Sequence, residues 1–191
     1  MANHVMQLFR DAGAILEGHF LLASGLHSPL YWEKFRILQY PNYTVELCSL
    51  IANHFKKDNI QVVAGPTTGG IILSYEVARQ LAVRGIFAEK EGDKREFRRG
   101  FSISPGEHVL IVDDILTTGK SVMEVIEAVN RSKGEIIGIG VLVDRAEQQK
   151  DFGVPLFSCL RVQTETYKPS ECPLCTAKVP LVKPGSTAKS L

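Results

Sequence analysis

Two adjacent carboxylates, Asp113 and Asp114, stand between an apolar run, Val109-Leu110-Ile111-Val112, and a short loop, Thr117-Thr118-Gly119-Lys120-Ser121. Ionised carboxylates accept hydrogen bonds from hydroxyl groups. A loop that opens a helix offers free backbone N–H groups and the positive end of the helix dipole, which together hold phosphate. A ligand bearing both hydroxyls and phosphate, such as a ribose phosphate, would satisfy both features. The nucleotide-binding P-loop does not fit, because no glycine stands five residues before Gly119. A second candidate anion loop is Gly65-Pro66-Thr67-Thr68-Gly69-Gly70, which taken alone reads equally well as a tight structural turn. Glu89 to Gly100 carries five basic residues in twelve and reads either as a solvated charged loop or as a mobile lid over an anion. Cys172-Pro173-Leu174-Cys175 has the spacing of half a zinc site; with only two adjacent ligands, the expectation is that it holds no metal. His27 is expected at the surface rather than as a ligand.

The elements that must position these residues follow from periodicity. Val109 to Val112 forms a buried strand that ends at the two acids, and Val122, Val125, Ile126 and Val129 repeat at i, i+3, i+4, i+7 as one face of a helix. Ile60 to Ala64 predicts a short strand ended by the Gly65–Gly70 turn, followed by a helix over Ile71 to Leu81. Ile86 to Ala88 begins another strand, and Ile136 to Asp144 and Pro155 to Val162 two more. A helix near 3–12 and one running through Val45, Leu47, Leu50, Ile51 and Phe55 behind Pro41 complete the series. Alternating strands and helices in this order imply right-handed crossovers and a mostly parallel sheet. Both candidate phosphate loops then lie at carboxyl ends of strands, where open α/β sheets bind ligands.

The 191 residues suit one domain of about 1–191, with a core of about 41–164, a hood of about 13–40 and a tail of about 165–191 that is either wrapped or loosely ordered. Apolar residues make up 45% and charged residues 23%, and the net charge is +1. Bulk charge therefore favours neither nucleic acid nor a membrane surface. No apolar run approaches the length of about 20 residues that a membrane span needs. The start of the chain does not read as a secretory signal, and Cys48, Cys159, Cys172 and Cys175 show no disulfide framework, so a cytoplasmic setting is expected.

The stretch from Val109 to Ser121 resembles the signature of the type I phosphoribosyltransferases. That resemblance implies an α/β fold: a mostly parallel twisted sheet flanked by helices, with an N-terminal hood. It further implies that Asp113 and Asp114 bind the ribose hydroxyls of phosphoribosyl pyrophosphate (PRPP), and that Thr117, Thr118, Gly119, Lys120 and Ser121 bind its 5′-phosphate. Thr67, Thr68, Gly69 and Gly70 match the family's pyrophosphate loop. Lys90 is similar to the second basic residue of the family's Arg-Lys-Glu lid motif, and Lys94 joins it among the PRPP-binding cations. Phe20 to Lys34, with its Ser24-Gly25 and Ser28-Pro29 core, resembles the hood of the orotate branch of the family. There Tyr31 and Trp32 fall where aromatics hold the base, with Thr117 beside them. Arg145, in Asp144-Arg145-Ala146-Glu147, matches an arginine that binds the orotate carboxylate, against the plainer alternative of a local ion pair. Lysines expected in that branch are replaced by Ala23 and Gly69. The implied activity is phosphoribosyl transfer to orotate, with Lys90, Asp113 and Asp114 in the catalytic role, Mg²⁺ as cofactor, and a homodimer. Transfer to a purine or uracil, or a non-enzymatic PRPP sensor, are the alternatives.

Overall fold

The computed structural model describes residues 1–22 and 24–184. Ala23 and the last seven residues of the tail lie outside them.

Helix α1 (Ala2–Asp11) buries Val5, Leu8 and Phe9 on one face. Strands β1 (Ile15–Leu21) and β2 (His27–Trp32) pair antiparallel from Ile15 opposite Trp32 to Leu21 opposite His27, and form the hood. The short α2 (Lys34–Leu38) begins where the Glu33 carboxylate accepts from the Phe35 N–H. In α3 (Pro41–Phe55), Pro41 occupies the first helical turn, where its missing N–H costs nothing.

The core sheet contains β3 (Val62–Pro66), β4 (Arg84–Glu91), β5 (Lys94–Phe97), β6 (His108–Leu116), β7 (Glu135–Asp144) and β8 (Leu156–Arg161). Its spatial order is β5-β4-β3-β6-β7-β8; every pair is parallel except β4 with β5. Helix α4 (Gly69–Leu81) connects β3 to β4, and α5 (Lys120–Arg131) connects β6 to β7. Successive strand residues face opposite sides. Val63, Leu110 and Val112 therefore pack with α1, α3 and α4, while Val62, Ala64, Val109 and Ile111 pack with α5. Covering both faces explains why these strands read as unbroken apolar runs.

Three expectations change. Glu89 to Gly100 is not a loop: β4 runs on to Glu91, turns through Gly92 and Asp93, and returns as β5 with Lys90 opposite Arg95. Polar side chains at every outward position hide an edge hairpin from a search for apolar runs. Strand β6 continues past the acids to Leu116, because Ile115 and Leu116 still pair with Val143 and Asp144 of β7. His27 is buried, 4% exposed, beneath the tail. The described part of the tail packs on the hood: His27 and Tyr167 exchange backbone hydrogen bonds, and Val182 pairs with His19 and Leu21. It carries a single 3₁₀ turn (Pro169–Glu171) and a one-turn helix, α6 (Pro173–Thr176).

Candidate active site

From β3 the chain crosses through α4 toward β4 on one side; from β6 it crosses through α5 toward β7 on the other. The crevice between the carboxyl ends of β3 and β6 is thus the topological switch point, where such sheets bind ligands. Both candidate phosphate loops open into it from neighbouring strands.

Asp113 and Asp114 are 6% and 3% exposed at that end of β6. The Asp113 carboxylate accepts from the Asp114 N–H at 2.8 Å, and the Asp114 Oδ1 accepts from the Ile115 N–H at 2.7 Å. Burial, then the neighbouring Asp114 charge, pushes the Asp113 pKa well above the usual carboxylate range. Lys34 reaches in from the hood and straddles the Asp114 carboxylate, donating to Oδ1 at 3.0 Å and pairing with Oδ2 at 2.8 Å. Its ammonium therefore compensates the buried Asp114 charge in this arrangement.

The two loops differ in how they are built. Gly119 has a φ of 82° and precedes α5, whose first turn has no side-chain cap. Only glycine takes that conformation without strain; the Lys120 N–H donates to the Thr118 hydroxyl at 3.4 Å, and the next N–H groups of the first turn have no protein acceptor among the described residues. The glycines of the other loop form the first turn of α4, so that helix begins two residues earlier than its periodicity suggests. At Gly69 the need is space: a Cβ would lie 1.9 Å from Asp114 Oδ2. A lysine could not stand there with Asp114 as it is. Lys34 supplies a cation to the same carboxylate from a different element. Sequence reading gave Lys34 no role, since nothing local signals that it reaches a strand 80 residues away.

The hood residues divide. Tyr31 and Trp32 are neighbours on β2 and so point to opposite faces. Trp32 is 5% exposed and packs edge-on against Phe9, with ring centroids 5.2 Å apart. This corrects its assignment to the base site: it fastens the hood to α1. Tyr31 stays half-buried beside the charges of Glu33, Lys34 and Arg145; burial is the main reason its pKa is raised. Arg145 follows β7, and its Nε donates to the Thr164 hydroxyl at 3.1 Å. Burial lowers its pKa. The local ion pair does not form: Asp144 faces Arg161 at 3.6 Å, and no carboxylate pairs with Arg145 among the described residues.

The hairpin cations also sort themselves. Arg95 is 6% exposed; its Nε donates to Glu124 of α5 at 2.9 Å and its Nη1 to the Thr67 hydroxyl at 3.0 Å. It is a strut between the two loops rather than a lid cation. Lys94 pairs with Glu96, Arg98 lies 3.7 Å from Glu91, and Arg99 pairs with Glu89 at 2.9 Å. Lys90 is exposed and has no ion-pair partner among the described residues. Removing one member of a buried pair strands the other's charge, which costs about 3–5 kcal/mol. Glu124→Gln is therefore expected to lower unfolding stability by about that amount. Exposed pairs such as Arg99–Glu89 contribute far less, because water screens them, and urea unfolding of Glu124→Gln beside Glu89→Gln checks the contrast.

A doubly crossed parallel sheet with paired acids at its switch point, between two glycine-bearing anion loops, defines a phosphoribosyltransferase of type I. Residues 36–171 match the family described as Phosphoribosyl transferase domain. Orotate phosphoribosyltransferase of Caldicellulosiruptor bescii is 50% identical over 184 residues, covering 96% of this chain and 97% of that protein. That of Caldanaerobacter subterraneus subsp. tengcongensis is 52% identical over 182 residues, covering 95% and 96%. The crystal structure of orotate phosphoribosyltransferase from Aeropyrum pernix superposes with a TM-score of 0.68 at 26% identity, over 82% of this chain and 93% of that one. The chain belongs to the orotate phosphoribosyltransferase family.

Proposed function

We infer that this chain transfers the phosphoribosyl group of PRPP to orotate, giving orotidine 5′-monophosphate and pyrophosphate, in the cytoplasm and as a homodimer. The observation that carries the reading is the buried Asp113–Asp114 pair at the end of β6, between the two glycine-bearing loops, with the half-buried Arg145 after the neighbouring β7 paired with no carboxylate among the described residues. No helix is long and apolar enough to cross a membrane among the described residues. Apolar side chains of α3 and α4, Val45, Ile72 and the 70% exposed Tyr75, surround a groove of about 380 Å³ and support a partner copy on that face.

Asp113 and Asp114 accept from the ribose hydroxyls. Thr117, Thr118, Gly119, Lys120 and Ser121 enclose the 5′-phosphate, and Thr67, Thr68, Gly69 and Gly70 the pyrophosphate. Arg145 holds the orotate carboxylate with its two-pronged guanidinium, and Tyr31 and Thr117 bound the ring. As the C1′–oxygen bond to pyrophosphate lengthens, positive charge grows on the ribose and negative charge on the leaving group; the orotate nitrogen closes on C1′ as pyrophosphate departs. The acids face the first charge, and Lys90 with Lys94 at the hairpin tip faces the second. No covalent intermediate with the protein is needed, since positioning and electrostatics suffice. The oxygen donors of Asp113 and Asp114, together with the substrate's own oxygens, suit Mg²⁺, which would offset the charge of the pyrophosphate when bound. The hairpin tip, by closing, keeps water from the cationic ribose.

The test is pyrophosphate release with PRPP and Mg²⁺ and, in turn, orotate, uracil, adenine, guanine or hypoxanthine. Turnover with orotate alone is expected. Preferred turnover of another base overturns the assignment of Arg145, and tight PRPP binding with no turnover of any base makes the chain a sensor.

A further inference from the structure

We propose that His19, His27, Cys172 and Cys175 bind one structural zinc ion, which clamps the tail onto the hood. Their four donor atoms lie within 4.8 Å of one another. They come from places remote in the chain: the middle of β1, the start of β2, and either end of the first turn of α6. His19 Nε2 lies 2.9 Å from His27 Nδ1, 3.5 Å from Cys172 Sγ and 3.8 Å from Cys175 Sγ, and His27 Nδ1 is 3.4 Å from Cys175 Sγ. A zinc tetrahedron with bonds of about 2.0 Å to nitrogen and 2.3 Å to sulfur has edges of about 3.3–3.8 Å. Those contacts already approximate them.

The surroundings suit the ion. His19 Nδ1 donates to the Val179 carbonyl at 2.9 Å, which fixes the tautomer and leaves Nε2 with its lone pair toward the centre. Outer hydrogen bonds of this kind commonly orient metal-bound histidines. His19, His27 and Cys172 are 2%, 4% and 2% exposed, while Cys175 forms the exposed side of the cluster; four protein donors leave no open coordination position, as in structural zinc sites. Two thiolates balance the ion's charge, and mixed nitrogen and sulfur ligands in a tetrahedron select zinc over hard cations such as Mg²⁺. The tail also needs such a tie. Between Tyr167 and Val182 its regular structure is one 3₁₀ turn and one helical turn, neither burying a residue within it. Cysteine spacing reveals half of this site; the two histidines are joined to it only by folding. Cys159 takes no part: it is buried elsewhere and donates to the Leu47 carbonyl.

The test uses the full chain purified without chelator or metal-affinity tag, with metal content measured by inductively coupled plasma mass spectrometry. The expectation is about one zinc per chain in the unaltered protein and less than about a tenth of that in Cys172→Ser/Cys175→Ser. Should the double variant fail to fold, the unaltered protein decides the matter: zinc added to metal-stripped chain should raise its melting temperature in proportion to the logarithm of zinc concentration. Cobalt in its place should show the visible bands of tetrahedral coordination and a thiolate charge-transfer band. Equal zinc in both proteins, no retained zinc with no thermal response, or an octahedral cobalt spectrum would each overturn the proposal.

Discussion

Asp113→Asn with Asp114→Asn is expected to reduce turnover about a thousandfold while the protein remains folded. A hydrogen bond to a charged group contributes about 1.5–3 kcal/mol. Two of them, held in a site where both acids are nearly inaccessible to water, sum to about 3–6 kcal/mol, and each tenfold in rate corresponds to about 1.4 kcal/mol. Asparagine keeps the shape but loses the charge that faces the cationic ribose. It also leaves Lys34 without its anion; that side chain is 36% exposed, so water can compensate much of the loss. Initial rates of pyrophosphate release, paired with urea unfolding of the same preparation, check both halves. A variant within tenfold of the normal rate would remove the ribose-binding role of this pair.

Arg145→Ala is expected to raise the KM for orotate about a hundredfold and to leave the KM for PRPP nearly unchanged. Among the described residues the guanidinium has one hydrogen-bond partner, the Thr164 hydroxyl, and its burial disfavours the charged form, so an anionic ligand would complete its surroundings. Losing a bidentate, charge-assisted contact costs about 3 kcal/mol, which corresponds to the stated factor. Arg145→Lys should recover little of it, because an ammonium cannot reproduce the fork. Initial-rate kinetics varying each substrate separate the cases: a loss confined to PRPP would show that this arginine belongs to the sugar phosphate rather than the base.

Much of the site was legible before folding was considered. The order strand, two acids, threonine-rich loop, helix is local, and each part carries its own pattern: unbroken apolar residues for a strand covered on both faces, then a 3.6-residue period for a helix. The glycines at 69 and 119 could be seen as loop residues, but not why each is needed. One requires space beside Asp114 and the other a left-handed backbone. The hairpin at Glu89–Gly100 was concealed because an edge pair with charged outward positions has no apolar signature. Arg95, one of five cations between Glu89 and Gly100, is set apart from the other four by burial against Glu124.

By itself, then, the sequence determined the class of fold, the two glycine-bearing loops at strand ends and the position of the paired acids, because these depend on neighbours within a few residues and on the periods of helix and strand. Only tertiary structure decided which face of β2 meets the core, so that Trp32 packs on Phe9; that Lys34 reaches Asp114; and that His19 meets Cys172 across 153 positions. The physical reason is the same in each case. Side-chain partners far apart in the chain are chosen by how sheets, hood and tail close over one another, and closure is a property of the packed whole that no local period encodes.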